Sequence, residues 1–250
     1  MIGTFERSLI FMSDRIKTLL SWSSGKDAAL TLYYLRQDHQ YDVQALLTSV
    51  NKHHDRVSMH GLRRSLLEQQ VEALSIPAVT VELPEQPDMQ QYEREMETAF
   101  RQFRDSGITH AAFGDIFLED LRAYREQQLQ EIGLHGVFPI WKRDSKELVC
   151  EFLDLGFRAV VVCVNAGSLD ESFVGRDIDQ SFLDDLPEGV DPCGENGEFH
   201  TFCYDGPIFN KPVEFDLGEK VYREYESPSA SQNKDRIGFW FCDLLPAAGD

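Results

Sequence analysis

The chain has 250 residues, 42% of them hydrophobic, enough for one large α/β unit or two small ones with a full core. Its formal charge of -19 argues against nucleic acid as a partner, because phosphate backbones are bound by clustered Lys and Arg, while a small pocket for a single nucleotide remains compatible. No apolar run is long enough for a membrane span, the Met1 to Arg15 leader is too charged for a signal peptide, and five cysteines without a C-x-x-C pair fit a reducing cytoplasm.

The first element in chain order is Lys17 to Leu20, a short apolar run that reads as a buried strand, and Ala28 to Leu35 has helical apolar spacing. Between them lies Ser21-Trp22-Ser23-Ser24-Gly25-Lys26-Asp27. A strand-to-helix turn leaves free backbone N–H groups and the positive end of a helix dipole, which suits an anion. Ser23, Ser24 and Gly25 let a phosphate approach, with Gly25 free to take positive φ, and Lys26 adds charge. Asp27 is read as a helix cap or a Mg2+ ligand. The stretch is not a Walker A loop, which would need Gly at 20 and Ser or Thr at 27. The bland alternative is a Ser-rich turn with an Asp cap.

Val43 to Val50 reads as the second strand and Asn51 to Arg56 as a polar loop, with His53 and His54 at the carboxyl end where ligands bind in open α/β sheets. A helix through Leu62 to Leu74, a strand at Ala78 to Leu83, a loop with Pro84 and Pro87, and a helix from Tyr92 to Phe103 stopped by Gly107 follow. Thr109 to Phe113 is the fourth strand, Leu118 to Ile132 a helix, and Val137 to Trp141 a short fifth strand. This alternation predicts a parallel sheet with helices on both faces. Gly114 and Asp115 follow the fourth strand and are placed near the phosphate loop, Asp115 as a ligand group or as a cap of the next helix.

From about residue 142 the rhythm changes: a helix at Asp144 to Leu155, a β-branched strand at Arg158 to Val164, a helix ending at Leu186, and β-like runs at Phe199 to Tyr204, Val213 to Phe215 and Ile237 to Cys242. Glu224 to Lys234 reads as a linker. The expected division is a nucleotide-binding domain at 1–142 and a smaller α+β domain at 143–250.

Two polar clusters stand out in the second part. Gly194-Glu195-Asn196-Gly197-Glu198-Phe199-His200-Thr201 brings two carboxylates, a histidine and two glycines together. Glu198 and His200 would share one face of a strand, and the cluster could bind a cationic group, deprotonate a nucleophile or hold Mg2+; a glycine hairpin with solvated charges is the alternative. The other cluster is Asp170, Glu171 and Arg176, whose guanidinium suits a carboxylate or phosphate unless the three pair with one another.

The loop at Ser23 to Asp27 resembles the S-G-G-x-D-S pyrophosphate (PP) loop of N-type ATP pyrophosphatases, with Ser24 for a Gly and Ala28 for the final Ser. Together with W-K-R-D at Trp141 to Asp144, L-D-E-S-x-x-G-R at Leu169 to Arg176 and G-E-N-G-E-F-H-T-F at Gly194 to Phe202, it resembles the diphthine–ammonia ligase family over roughly residues 17 to 243. That resemblance implies a HUP-type (Rossmann-like) nucleotide-binding domain with a smaller second domain. It also implies ATP-dependent adenylation of a carboxylate, in the family that of diphthine on elongation factor two, and displacement of AMP by ammonia. Ser23, Ser24, Gly25, Lys26, Asp27, Gly114 and Asp115 would then hold ATP, with Asp27 on Mg2+, and Lys26 would offset the charge of the departing pyrophosphate. Asp170, Glu171, Arg176, Gly194, Gly197 and Thr201 would form the acceptor side, with Glu195, Glu198 and His200 catalytic beside Lys26. Alternatives are a sensor that binds ATP or AMP without turnover, a ligase acting on another small carboxylate, and, least favoured, a tRNA-thiolating enzyme. A homodimer is the assembly kept open.

Overall fold

The computed structural model describes residues 15–85, 88–226 and 236–247. The first sheet contains β1 (Ile16–Ser21), β2 (Tyr41–Asn51), β3 (Arg56–Val57), β4 (Ala78–Leu83), β5 (His110–Ala112) and β6 (His135–Val137). The helices α1 (Lys26–Gln37), α2 (Arg64–Leu74), α3 (Met89–Asp105) and α4 (Glu119–Glu131) connect them. β1 pairs in parallel with β2 and β5, β2 with β4, and β5 with β6; only the two-residue β3 runs antiparallel, on β2. This is the HUP-type parallel sheet with helices on both faces.

Period-two alternation divides the strands between the two faces. Leu20, Leu46 and Ala112 point into one core with α1 and α2. Leu19, Ala45 and Leu47 point the other way, against Ala99, Met96, Phe100 and Phe103 of α3. The central runs of β1 and β2 are buried on both faces and read as unbroken apolar stretches, while β4 buries only Val81 and Leu83 and is marked by its β-branched alternation; all three lie where the sequence predicts them.

The second sheet is antiparallel, in the order β8, β7, β10, β9. Its strands are β7 (Arg158–Asn165), β8 (Phe199–Asp205), β9 (Phe215–Glu226) and β10 (Arg236–Pro246), accompanied by α5 (Ser145–Asp154) and α6 (Gln180–Asp185). Val160 to Val164 of β7 are at most 1% exposed and share one core with Trp22, Leu32 and Leu66 from the parallel half.

Three expectations are corrected. The fifth strand is His135–Val137 rather than Val137 to Trp141, because the chain turns after Val137, with the Trp141 N–H on the Phe138 carbonyl at 3.2 Å. The polar loop after β2 is shorter, because Arg56 and Val57 fold back as β3. β9 is a full strand through Glu226, so the linker expected from Glu224 can begin no earlier than residue 227. Its remainder and the N-terminal leader lie outside the described residues.

Candidate functional site

The site begins at the turn between β1 and α1. Ser24 takes φ 69°, the left-handed conformation that glycine adopts freely, while Gly25, the N-cap residue, has φ −88°. The expectation of positive φ at Gly25 is therefore corrected by one residue. Gly25 is small for another reason. A Cβ there would lie 3.0 Å from His60 Cε1 and 3.1 Å from the Thr201 carbonyl oxygen. Gly114 allows a similar approach, since its Cβ would meet the Asp27 carbonyl carbon and oxygen at 3.0 Å. Gly114 is thus a backbone spacer beside the loop.

β8 closes over the N-terminus of α1. Thr201 Oγ1 accepts the Lys26 N–H at 3.0 Å, and the Cys203 N–H donates to the Ser24 carbonyl at 2.9 Å. Thr201 is therefore the cap of α1, and one of the N–H groups expected to be free is occupied. Gln70, fully buried on α2, secures this seam. It accepts from Trp22 Nε1 at 2.7 Å and donates to the carbonyls of Ser24 at 3.1 Å and Cys203 at 2.6 Å.

Lys26, expected at the phosphates, has its ammonium engaged within the protein. Its Nζ donates to both Asp27 carboxylate oxygens, at 2.6 and 2.8 Å, and to the Cys193 carbonyl at 2.6 Å. Burial alone would lower this ammonium, but the Asp27 charge beside it raises its pKa above the ordinary lysine value. Burial raises Asp27 above the usual carboxylate range, with Lys26 opposing.

The Asp191 to Glu198 segment forms the facing wall. The Asp191 carboxylate accepts the N–H groups of Cys193 and Glu195, and Gly194 and Gly197 turn the chain at φ 73° and 85°. These turns send Glu195 across to the end of β5, where its Oε1 accepts from Ile116 N at 2.7 Å. Burial, with help from the Asp27 and Asp115 charges, lifts Glu195 to about 7, against two opposing backbone hydrogen bonds. Asp115 is ion-paired with Arg125 of α4 at 2.8 Å, and Leu118 rather than Asp115 is the N-cap of that helix.

Glu198 and His200 part company. Glu198 precedes β8, and its Oε1 accepts from Asp191 N and from Asn196 Nδ2, so it tethers the loop. Its Oε2 is buried without a partner. His200 faces the pocket. It stands 4.7 Å, centroid to centroid, from His60, which the sequence did not single out. Burial holds both imidazoles low, His60 at about 3 and His200 at about 4, so both are uncharged at neutral pH. The histidines that were singled out, His53 and His54, lie exposed near Glu85.

Ser23, Gly25, Asp27, His60, Cys193, Gly194, Glu195, Gly197, Phe199, His200 and Thr201 together line one pocket of about 120 Å3, open to solvent. Asp170, Glu171 and Arg176 do not join it. Arg176 donates to Asp185 of α6 at 2.9 Å and to Ser181, Asp170 accepts from Ser172, and Glu171 is exposed. Asp144, from the W-K-R-D motif, caps α5 through the Glu147 N–H. The signal for His60 was weak, a lone histidine before a glycine with no repeat or partner nearby in sequence.

A HUP-type sheet whose first strand-to-helix loop faces a histidine- and carboxylate-bearing wall defines a two-part α/β protein of the PP-loop kind. Comparison with known protein families agrees. The diphthamide synthase N-terminal domain matches residues 16–136 and the diphthamide synthase C-terminal domain matches residues 144–230. The chain belongs to this diphthamide synthase family. Among curated relatives it is similar to the diphthine–ammonia ligases of Bos taurus, 31% identical over 113 residues, and Danio rerio, 31% identical over 119 residues. These matches cover 43% and 46% of this chain and 42% and 47% of the relatives. The ligase of Schizosaccharomyces pombe is 26% identical over 92 residues, 35% of this chain and 15% of that protein. The chain therefore spans less than half the length of the curated relatives it matches.

Proposed function

We propose that the protein is an ATP-dependent carboxylate–ammonia ligase of the diphthine–ammonia ligase kind. The carrying observation is that the Ser23–Asp27 loop and the Cys193–Thr201 segment, far apart in sequence, form one pocket. ATP phosphates would approach the loop at the N-terminal end of α1, where Ser23, Gly25 and Asp27 line the pocket. The acceptor carboxylate would attack the α-phosphorus and release pyrophosphate, and ammonia would then displace AMP from the acyl carbon. Glu195, lifted to about 7 and facing the pocket, suits the proton taken from ammonium before attack. Lys26 acts in this scheme by holding Asp27 and the Cys193 carbonyl in place.

Mg2+ is proposed only as the companion of the phosphates. Both Asp27 oxygens are held by Lys26, and among the described residues no group of three His, Cys, Asp or Glu side chains is arranged to hold a metal. No step is assigned to it. The acceptor is proposed to be diphthine, on the strength of the relatives' names, or a smaller carboxylate. Division into units at 1–142 and 143–250 is supported by the change from parallel to antiparallel sheet. A cytoplasmic location is supported by five free cysteines. A homodimer draws its support from the edge strand β9, where Leu217, Tyr222 and Tyr225 are exposed.

The test is incubation with ATP, Mg2+, ammonium and either a diphthine-bearing protein or a panel of small carboxylates. AMP, pyrophosphate and an amide product are expected. Release of ADP alone, or tight ATP binding with no AMP from any acceptor, would overturn the reading, the latter in favour of a sensor.

A further inference from the structure

We propose that His60, with His200 behind it, is the positioning residue for a small amine or ammonium ligand in this pocket. The inference rests on the ligase reading for its chemical meaning, but its observations and its test stand apart from catalysis.

The backbone is arranged to present this ring. His60 lies between Met59 at φ 64° and Gly61 at φ 67°. Met59 is 73% exposed, so no buried contact of its own side chain explains its left-handed conformation. The turn is fixed by hydrogen bonds from His60 N to the Ser58 carbonyl at 2.8 Å and from Gly61 N to the Val57 carbonyl at 3.0 Å. Behind it, the Phe241 ring would stand 3.1 Å from a Cβ at residue 61. The chain thus accepts two left-handed residues in a row of three, and the result is an imidazole set against Gly25.

The hydrogen bonding then fixes which nitrogen is available. Nδ1 lies 3.0 Å from the Thr201 carbonyl oxygen, and a carbonyl can only accept, so Nδ1 carries the proton. Nε2 is left with a lone pair and has no hydrogen-bond partner among the described residues. His200 stacks behind it, tilted by 31°.

The remaining lining decides what that lone pair would meet. No Lys or Arg side chain lines the pocket. The nearest cation, Lys26, is spent on Asp27 and Cys193. From α1 comes the Asp27 carboxylate, from the loop before β8 the Glu195 carboxylate, and from β8 His200, while the Cys193 thiol donates to the Ser145 carbonyl at 3.2 Å. The side-chain groups there are mainly acceptors. At the His60 side of the pocket a ligand rich in N–H donors is matched by such a lining, and an anion is left to the loop backbone at the N-terminal end of α1. Ammonium or a small primary amine fits that description, with one N–H directed to His60 Nε2 and the others toward the carboxylates.

The test is long-range proton–nitrogen NMR of the histidine rings in the full-length protein, titrated with ammonium chloride, with methylammonium chloride, with sodium chloride at equal ionic strength, and with AMP or pyrophosphate. Ammonium is expected to move the His60 Nε2 resonance saturably while Nδ1 stays protonated, and sodium is expected to leave it in place. In His60→Phe the affinity for ammonium, read from the His200 resonances, should fall by about tenfold, the equivalent of one charge-assisted hydrogen bond. If ammonium and sodium act alike, or if pyrophosphate or AMP alone moves Nε2 toward its protonated range, the inference is overturned, in the second case in favour of a phosphate contact. The wild-type titration needs no variant, so a folding defect in His60→Phe leaves the question decidable. Failure to make AMP in the ligase assay, with the ammonium shift intact, would count against the ligase reading and leave the amine site standing.

Discussion

At the scale of single residues, the loop shows how a departure from a motif is absorbed. Ser24 sits where the PP-loop pattern has glycine, fully buried at φ 69°, with its hydroxyl turned onto the Ser23 carbonyl. A left-handed residue with a Cβ costs about 1–2 kcal/mol, and glycine removes that cost but adds freedom to the unfolded chain. Ser24→Gly is therefore expected to leave stability within about 1 kcal/mol of the parent, whereas Ser24→Val, β-branched and buried, should lose about 2 kcal/mol or more. Urea midpoints at constant m-value would decide; equal losses for the two variants would show that φ is not the issue. Glu195 carries a second residue-scale expectation. Its folded pKa of about 7 lies above the ordinary glutamate value of 4.5, so between those limits the folded state holds more protons than the unfolded one. Its contribution to stability therefore falls as pH rises from about 4.5 to about 7 and is constant on either side. Glu195→Gln should flatten that part of the stability curve, and it should also remove the limb near neutral pH from the rate of ammonia-dependent AMP formation. A variant that keeps both dependences would show that another group titrates there.

At the scale of elements, what the sequence made legible follows from burial. The centres of β1, β2 and β7 are covered on both faces and so spell apolar runs, β4 alternates between buried and exposed positions, and α3 spells its single apolar face in Tyr92, Met96, Phe100 and Phe103. β3 is two residues long and held by β2, so no periodicity could mark it. β9 alternates charged and aromatic residues at a sheet edge and was legible only at its first residue, Phe215. The site was legible where chemistry clusters in sequence, as in Gly194 to Thr201. It was not legible where function depends on a contact between distant segments: nothing near Lys26 announces the Cys193 carbonyl, and nothing near His60 announces Thr201. Gln70 belongs to the same class. It reads as a polar residue on an ordinary helix, yet its amide joins Trp22 and Ser24 of the loop after β1 to Cys203 of β8. Gln70→Leu keeps the approximate volume but leaves Trp22 Nε1 and two carbonyls short of a partner. It should cost about 2–4 kcal/mol by denaturant unfolding, because desolvated polar groups would lose their hydrogen bonds. A loss below about 0.5 kcal/mol would mean that water replaces the amide.

At the scale of the whole molecule, the two sheets are covalently successive but physically joined. The core that contains Trp22, Leu32 and Leu66 continues without a break into Val161, Phe182 and Phe202. At its rim Asp243 of β10 pairs with Arg56 at 2.8 Å and with Arg63. Burial would raise this carboxylate, but the two guanidiniums hold it down at about 2. The stability it supplies is present above the ordinary aspartate pKa of 3.8 and is lost as pH falls from there toward 2. A shared core has a consequence for unfolding. If the parallel half were stable alone, a cavity in the antiparallel half would leave Trp22 undisturbed. Phe202, fully buried on β8, provides the test, because it lies in the antiparallel sheet while its cluster reaches the parallel one. Phe202→Ala should cost about 3–5 kcal/mol, the usual range for a phenylalanine removed from a packed core. The far-ultraviolet circular dichroism and tryptophan fluorescence transitions of the variant should shift together to lower denaturant. Two separated transitions, with the buried Trp22 signal held at the parent midpoint, would show instead that the units at 1–142 and 143–250 unfold independently. The seam between Ser24 and Cys203 would then be a docking contact, and the pocket that depends on it would open before either sheet melts.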